Sequence, residues 1–458
     1  MIASIWKGRT AAVALTKRIR AQQRYLAAAV ESSSTTTAMS GDEDDSTPLA
    51  SLSSLGLTEV LVQPHVESIS QLPEVADILQ SNTRDTNVPA LKQQVEALQR
   101  ASDIFASFAP GGNEHTAVLT LLAERQHWLH YAGAQRTLQQ IQEYVGGTTS
   151  GPTAVHVGLA LAKTLWLQGD FAACVQQTQK LKQNMAAQMD LPPLHTAAVE
   201  NAHLLGNFLH DGPLAARQAA LSVDAVGLPL YIQAAQCLNM GVVEATWSLG
   251  HDCHGDRTCY VTQYDTAKEL WQKGIDLLKS QSKDNDASTI HPFALTMEGL
   301  LQSNMAYAVL QIAGQEESHV AKASEHAREA LQALERIRND ETFSAWNRAL
   351  PQPGWTRALA LVAQCYHRAG HAVTAEGLLQ TALDETHPTT LTMSPSCVLE
   401  RRAAYQAYAA LCKDWEKRQG DADRFLAKAT SLDKQLGGGW KQATELHASL
   451  WFWMPFHT

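Results

Sequence analysis

The chain is poor in the features that usually betray an enzyme or a nucleic-acid binder. Only 7% of its 458 residues are aromatic and 18% charged. Runs of β-branched residues with period-2 alternation are nearly absent, which argues against sheets, while Ala, Leu and Gln recur and point to an all-helical chain. Cationic excess is missing too. The formal charge of -10 speaks against a phosphate-binding surface as the main business of the protein. No apolar run approaches the about 18 residues of a membrane-spanning helix. Seven Cys without paired spacing read as reduced cysteines of an intracellular protein, not as a disulfide framework. No Ser, His and Asp set sits in the context of a nucleophile elbow. Gly437-Gly438-Gly439 follows a helical segment and precedes Trp440, which is cap and linker chemistry rather than a phosphate loop.

What the chain does have is clearest between Thr356 and Pro388. Leu359, Val362, Ala363 and Tyr366 share one face of a predicted helix, and Gly370-His371 breaks it. Ala375, Leu378, Leu379 and Ala382 line a second helix that Pro388 stops. Two short amphipathic helices around a Gly turn make a hairpin. One such hairpin cannot bury its apolar face alone, so similar units must stack beside it. The segment resembles the tetratricopeptide repeat (TPR), a unit of about 34 residues. Leu359, Val362-Ala363 and Tyr366 match the large, small and aromatic places of its first helix, Ala375 and Ala382 the small places of its second, and Pro388 its closing Pro. The resemblance implies a superhelical array that binds proteins or peptides and holds complexes together. The expected fold is therefore an all-α, TPR-like α-solenoid of degenerate repeats with an irregular N-terminal cap.

Taken in order, the chain divides by composition. Residues 1–40 carry Lys7, Arg9, Lys17, Arg18, Arg20 and Arg24 against the single acid Glu31, and end in a Ser/Thr run. An Arg-rich, Ser-rich, acid-poor amphipathic start is that of an organelle presequence, mitochondrial in preference to plastid; a disordered basic tail or a first repeat helix, in a cytoplasmic protein, is the plain alternative. Residues 41–60 read as an acidic, Ser-rich linker opened by Asp42-Glu43-Asp44-Asp45. Residues 61–112 read as an irregular helical cap, with Pro73 and Pro89 at helix starts and Pro110-Gly111-Gly112 at its end. The repeat array is expected over 113–440, with turns at Gly133, Gly169, Gly212, Gly370 and Gly420. Beyond residue 40 the chain holds 30 Lys and Arg against 45 Asp and Glu, a formal -15. Such a body lacks the basic stripe of an RNA-reading helical array, and favours basic peptide segments as partners.

Two stretches invite a sharper reading. The loop His251-Asp252-Cys253-His254-Gly255-Asp256-Arg257-Thr258-Cys259 concentrates metal-ligand types, so a metalloprotein or enzyme using Cys253 and Cys259 is the alternative to a scaffold. Its Cys-x5-Cys spacing has no second Cys pair, so the expectation is a structural loop with no metal, cofactor or catalytic site. Residues 441–458 form an aromatic C-terminal segment with Trp451, Phe452, Trp453 and Phe456, expected either to fold back on the last helix or to dock on a partner. No pair of Asn and Lys/Arg positions repeats across adjacent first helices, so capture of a chaperone's terminal carboxylate is not expected. The leading reading is a non-catalytic scaffold or adaptor in an organelle.

Overall fold

Why the chain stacks as it does begins with its prolines and small residues. Pro152, Pro193, Pro292 and Pro395 each open a helix, where the missing N–H is not needed. The computed structural model describes residues 55–80 (except 56), 88–146, 151–186, 191–220, 227–250, 257–284, 292–312, 316–339, 354–384 and 394–452. All of them lie in one unit, Leu49–Thr458. Among them there is no β-strand, and the fold is all-α.

After single helical turns between Thr58 and Ile69, α1 (Pro73–Gln80) and α2 (Val88–Phe108) form the N-terminal end. Hairpins follow: α3 (Asn113–Leu129) with α4 (Tyr131–Gly146), α5 (Pro152–Gln168) with α6 (Phe171–Ala186), and α7 (Pro193–Asp211) with α8 (Pro213–Ala220). Then come α9 (Leu230–Gly250) with α10 (Arg257–Asp284), α11 (Pro292–Ile312) with α12 (Glu317–Asn339), α13 (Trp355–Arg368) with α14 (Ala372–Asp384), and α15 (Pro395–Lys413) with α16 (Gln419–Leu432). From α5 to α15 each first helix packs on the next first helix, while each second helix fills the gap between its own first helix and the following one. This is a solenoid of helical hairpins, and the first helices together make one continuous face.

The expected turns at Gly169, Gly212 and Gly370 are present, each Gly at positive φ. Two others lie elsewhere. The α3–α4 turn is at His130, in extended backbone, because its ring Nδ1 accepts the Gly133 N–H at 3.1 Å. Gly133 sits inside the first turn of α4, where a Cβ would come within 2.0 Å of that ring. The last hairpin turns before Gly420, at Asp414–Arg418, since Arg418 pairs with Asp421 at 2.9 Å and with Glu376, and covers the ring of Trp415.

Two apolar clusters make the core. One runs from Leu55 through α11, the other from α11 through α16. The N–H of Leu55 is held by the buried Glu124 carboxylate of α3. The C-terminal residues Leu436, Trp440, Ala443, Leu446, Ala448, Leu450 and Phe452 belong to the first cluster, although the second is nearer in sequence.

A candidate site on the first-helix face

That assignment follows from the path of residues 437–452, called the strap below. Two turns of 3-10 helix, Gly438–Gln442 and Glu445–Ser449, are all the regular structure it has. Its first anchor is Trp440, fully buried. The indole N–H donates to the Trp166 carbonyl of α5 at 2.7 Å, and the ring meets Trp166 and Phe171 edge-on. Glycine makes the approach possible. Gly169 caps α5 at φ 80°, and a Cβ there would lie 2.4 Å from the Gly437 carbonyl. Gly438 faces Gly169 in the same way, and Gly439 N–H donates to the Gly169 carbonyl at 3.0 Å.

Three residues later the strap is at the other end of the array. Arg402 of α15 donates to the Ala443 carbonyl, held in place by Asp433 at 2.9 Å. Three residues span about 10 Å at most, so α5 and α15 face each other across the strap and the array curves around it. Thr444 and His447 close a reciprocal cap, with Thr444 N–H donating to His447 Nδ1 at 3.0 Å. The His447 ring stacks on Phe208 of α7, 5.3 Å between centroids. Burial pushes its pKa down to about 4, which keeps Nδ1 an acceptor near neutrality.

Beyond His447 the array holds the strap by its backbone. Asn239 of α9 accepts the Trp451 N–H at 2.8 Å and donates to the Trp451 carbonyl at 2.9 Å. Asn201 of α7 orients Asn239, accepting from its amide at 2.9 Å, and adds a longer bond of 3.4 Å to the same carbonyl. Asn304 of α11 donates to Ser449 Oγ at 3.1 Å. Trp451 meets Phe293 edge-on, and Phe452 returns to Trp166. A row of buried Asn on successive first helices thus reads an irregular segment of chain.

The middle of the seat carries charge. Arg357 of α13 is fully buried; it donates to Asn304 Oδ1 at 2.6 Å and lies 3.5 Å from Glu445 Oε1 of the strap. That contact is an ion pair at the long end of the range, and the guanidinium also lies over the Tyr307 ring, 5.6 Å from its centroid. Glu400 of α15 is a buried carboxyl beside Arg357, taking the Gly354 N–H at 2.7 Å. Burial pushes the Glu400 pKa up to about 8 against the pull of the Gly354 N–H and Arg357. Burial raises Glu445 as well, opposed by Arg357. For both carboxyls burial acts against the single guanidinium.

The other chemistry-bearing types are dispersed. The His251–Cys259 loop lies outside the described residues, except that Arg257–Cys259 open α10, with side chains undescribed. The described thiols Cys174, Cys237, Cys365, Cys397 and Cys412 are buried and free. Burial pushes Cys174 and Cys397 up to about 12 and Cys365 to about 11, which leaves them protonated and unreactive near neutrality. His156 and His195 touch, with ring centroids 4.7 Å apart, but among the described residues no three His, Cys, Asp or Glu gather as metal ligands. No described helix is long and apolar enough to cross a membrane.

The signal for the seat was present but easily read as noise. Asn239 stands alone between Leu238 and Met240, whereas Asn201 follows Glu200 and Asn304 ends the polar triplet begun by Gln302 and Ser303. A search for a terminal-carboxylate clamp asks for Asn beside Lys or Arg. Here the Asn row holds interior backbone instead, and the cations that touch the strap, Arg357 and Arg402, come from later helices. The chain matches no protein-family model and no curated protein.

Proposed function

We propose that this protein is a non-catalytic, TPR-like scaffold or adaptor that mediates protein–protein contact or complex assembly in an organelle, the mitochondrion first. The single observation that supports it best is the bidentate hold of Asn239 on the backbone of Trp451, backed by Asn201 and Asn304 on the neighbouring first helices. An array that presents aligned amides to an irregular segment has the chemistry of peptide recognition, since main-chain bonds supply affinity and pockets supply selectivity. Its acidic body favours basic partner segments, bound more weakly as salt rises.

The seat described above is filled by the chain itself. Partners therefore meet the second-helix surface, the ends of the array, or a seat from which the strap has withdrawn. Affinity purification of the tagged full-length chain from isolated organelles, at low and moderate salt, tests the reading. A stoichiometric protein partner whose yield falls with salt is expected. Recovery of the chain alone at both salts would remove the scaffold reading.

A further inference from the structure

We propose that residues 437–452 are a withdrawable autoinhibitory strap, the occupant in cis of a peptide seat formed by Trp166, Asn201, Asn239, Asn304, Arg357 and Arg402. The proposal deepens the scaffold reading and rests on it. Released, the seat accepts a peptide that follows the strap's irregular course, with an aromatic anchor in the Trp166–Phe171 notch and a carboxylate five residues later against Arg357.

Three observations carry it. First, the strap docks through long-range contacts. Its bonds to Arg402, Asn304, Asn239, Asn201 and Trp166 cross 41, 145, 212, 250 and 274 residues of sequence. The hairpins, by contrast, pack mainly on their neighbours in sequence. Arrays of this kind draw their stability from adjacent units, so the hairpins can form before the strap arrives and remain after it leaves.

Second, the strap is ordered by its seat. It has two isolated 3-10 turns and no regular ladder to any helix. Burying its apolar side chains and fixing its backbone are opposing effects of similar size, so releasing the strap costs less than unfolding the array.

Third, the charged contact at the centre of the docked state is long. Arg357 is fully buried while Glu445 keeps 18% of its side chain in solvent, and the pair meets at 3.5 Å. A partly hydrated pair at this distance adds less to docking than a close, fully bonded one. Withdrawal completes the hydration of Glu445 and leaves Arg357 with Asn304.

The test uses the full chain with a protease site inserted between the exposed residues Lys434 and Gln435, cleaved after folding. A fluorescent synthetic peptide of residues 435–458 is added in excess, and its exchange for the nicked fragment is followed by anisotropy. Global unfolding is timed in parallel from helix circular dichroism after a jump into denaturant, extrapolated to water. The proposal expects the nicked protein to stay folded, one peptide to bind per chain, and exchange to outrun global unfolding. Asn239→Ala should speed exchange about tenfold without unfolding the helices. Exchange no faster than global unfolding, or collapse of the helical signal on nicking, would make the segment permanent core and overturn the proposal. Failure here leaves the partner pull-down untouched, and an empty pull-down leaves this exchange untouched.

Discussion

Trp440 donates its indole N–H to the carbonyl of Trp166 across 274 residues of chain, at 2.7 Å, inside a site with no exposed edge of the donor ring. This bond ties residues 437–452 to an earlier hairpin, α5–α6. Trp440→Ala should cost about 3–5 kcal/mol, as large-to-small changes of buried Trp do. Trp440→Phe keeps most of the ring and loses the bond, and should cost nearer 1 kcal/mol, because the Gly169 N–H still reaches the Trp166 carbonyl at 3.0 Å. Urea unfolding of the full chain measures both. Equal losses would mean that the hydrogen bond, not the packing, dominates.

The close approach at Gly169 gives a cleaner comparison. Gly169 and Gly370 both sit at φ 80°, yet a Cβ at Gly370 meets nothing within 4 Å, whereas one at Gly169 meets the Gly437 carbonyl at 2.4 Å. Alanine at either position pays the left-handed strain of about 1–2 kcal/mol. Only Gly169→Ala should lose more, and only it should loosen the strap, read as protease cleavage after Lys434 or Lys441. Matching losses and matching cleavage would show that the glycine contact has no energetic role.

Asn239 supplies the third test. Replacing it with Ala orphans the half-buried Trp451 N–H and leaves its carbonyl only the 3.4 Å bond from Asn201, at about 1–3 kcal/mol in all. Asn239→Asp can still accept from the N–H but cannot donate to the carbonyl, so an intermediate loss is expected in denaturant unfolding. A neutral Ala variant would mean that Trp451 finds other partners.

Stability should peak near pH 6.5–7. Burial holds His127 at about 3 and His156 and His447 at about 4, below the unfolded value of about 6.5. The unfolded chain therefore binds more protons in that window, and stability is lost as pH falls from about 6.5 towards 4. Glu400 acts with the opposite sign. Its pKa of about 8 in the fold means the native state keeps a proton that the unfolded chain releases above about 4.3, so its contribution is lost as pH rises through 8. Below 6.5 the histidines outnumber it; above, it acts alone among these groups. Melting temperature against pH should show both limbs, and Glu400→Gln should flatten the alkaline one. An unchanged alkaline limb would show that Glu400 is ionised in the fold.

The N-terminal expectation is tested apart from the array. A fusion of Met1–Ser40 to a fluorescent protein should enter mitochondria, with the mature N-terminus between about Tyr25 and Gly41. A diffuse cytosolic signal would end the claim, and a plastid signal would move it.

The hairpins were legible because their causes are local. Helical spacing of Leu359, Val362 and Tyr366, a Gly at 370 and proline at helix starts act within a few residues, and the fold repeats those choices. The strap was not legible for the same reason reversed. Nothing near Trp440 or Trp451 announces Trp166 or Asn239, since the partners are fixed only once the array has curved. Of its two expected resting places, the last helix or a partner, the last helix was the nearest apolar surface in sequence; the residues that hold Trp451, Asn201 and Asn239, lie more than 200 positions away. The turns at Gly133 and Gly420 shifted because His130 and Arg418 act through side-chain bonds that a glycine-based reading does not weigh.

The path of the strap across the first-helix face is the claim on which the seat depends, and photo-cross-linking from Lys441 tests it most directly. Lys441 is exposed and follows Trp440, so a benzophenone amino acid in its place should leave the docking intact. Irradiation and peptide mapping should place adducts within residues 152–186, around Gly169 and Phe171. Adducts confined to residues 395–436 would put the segment on the last hairpin and contradict the account.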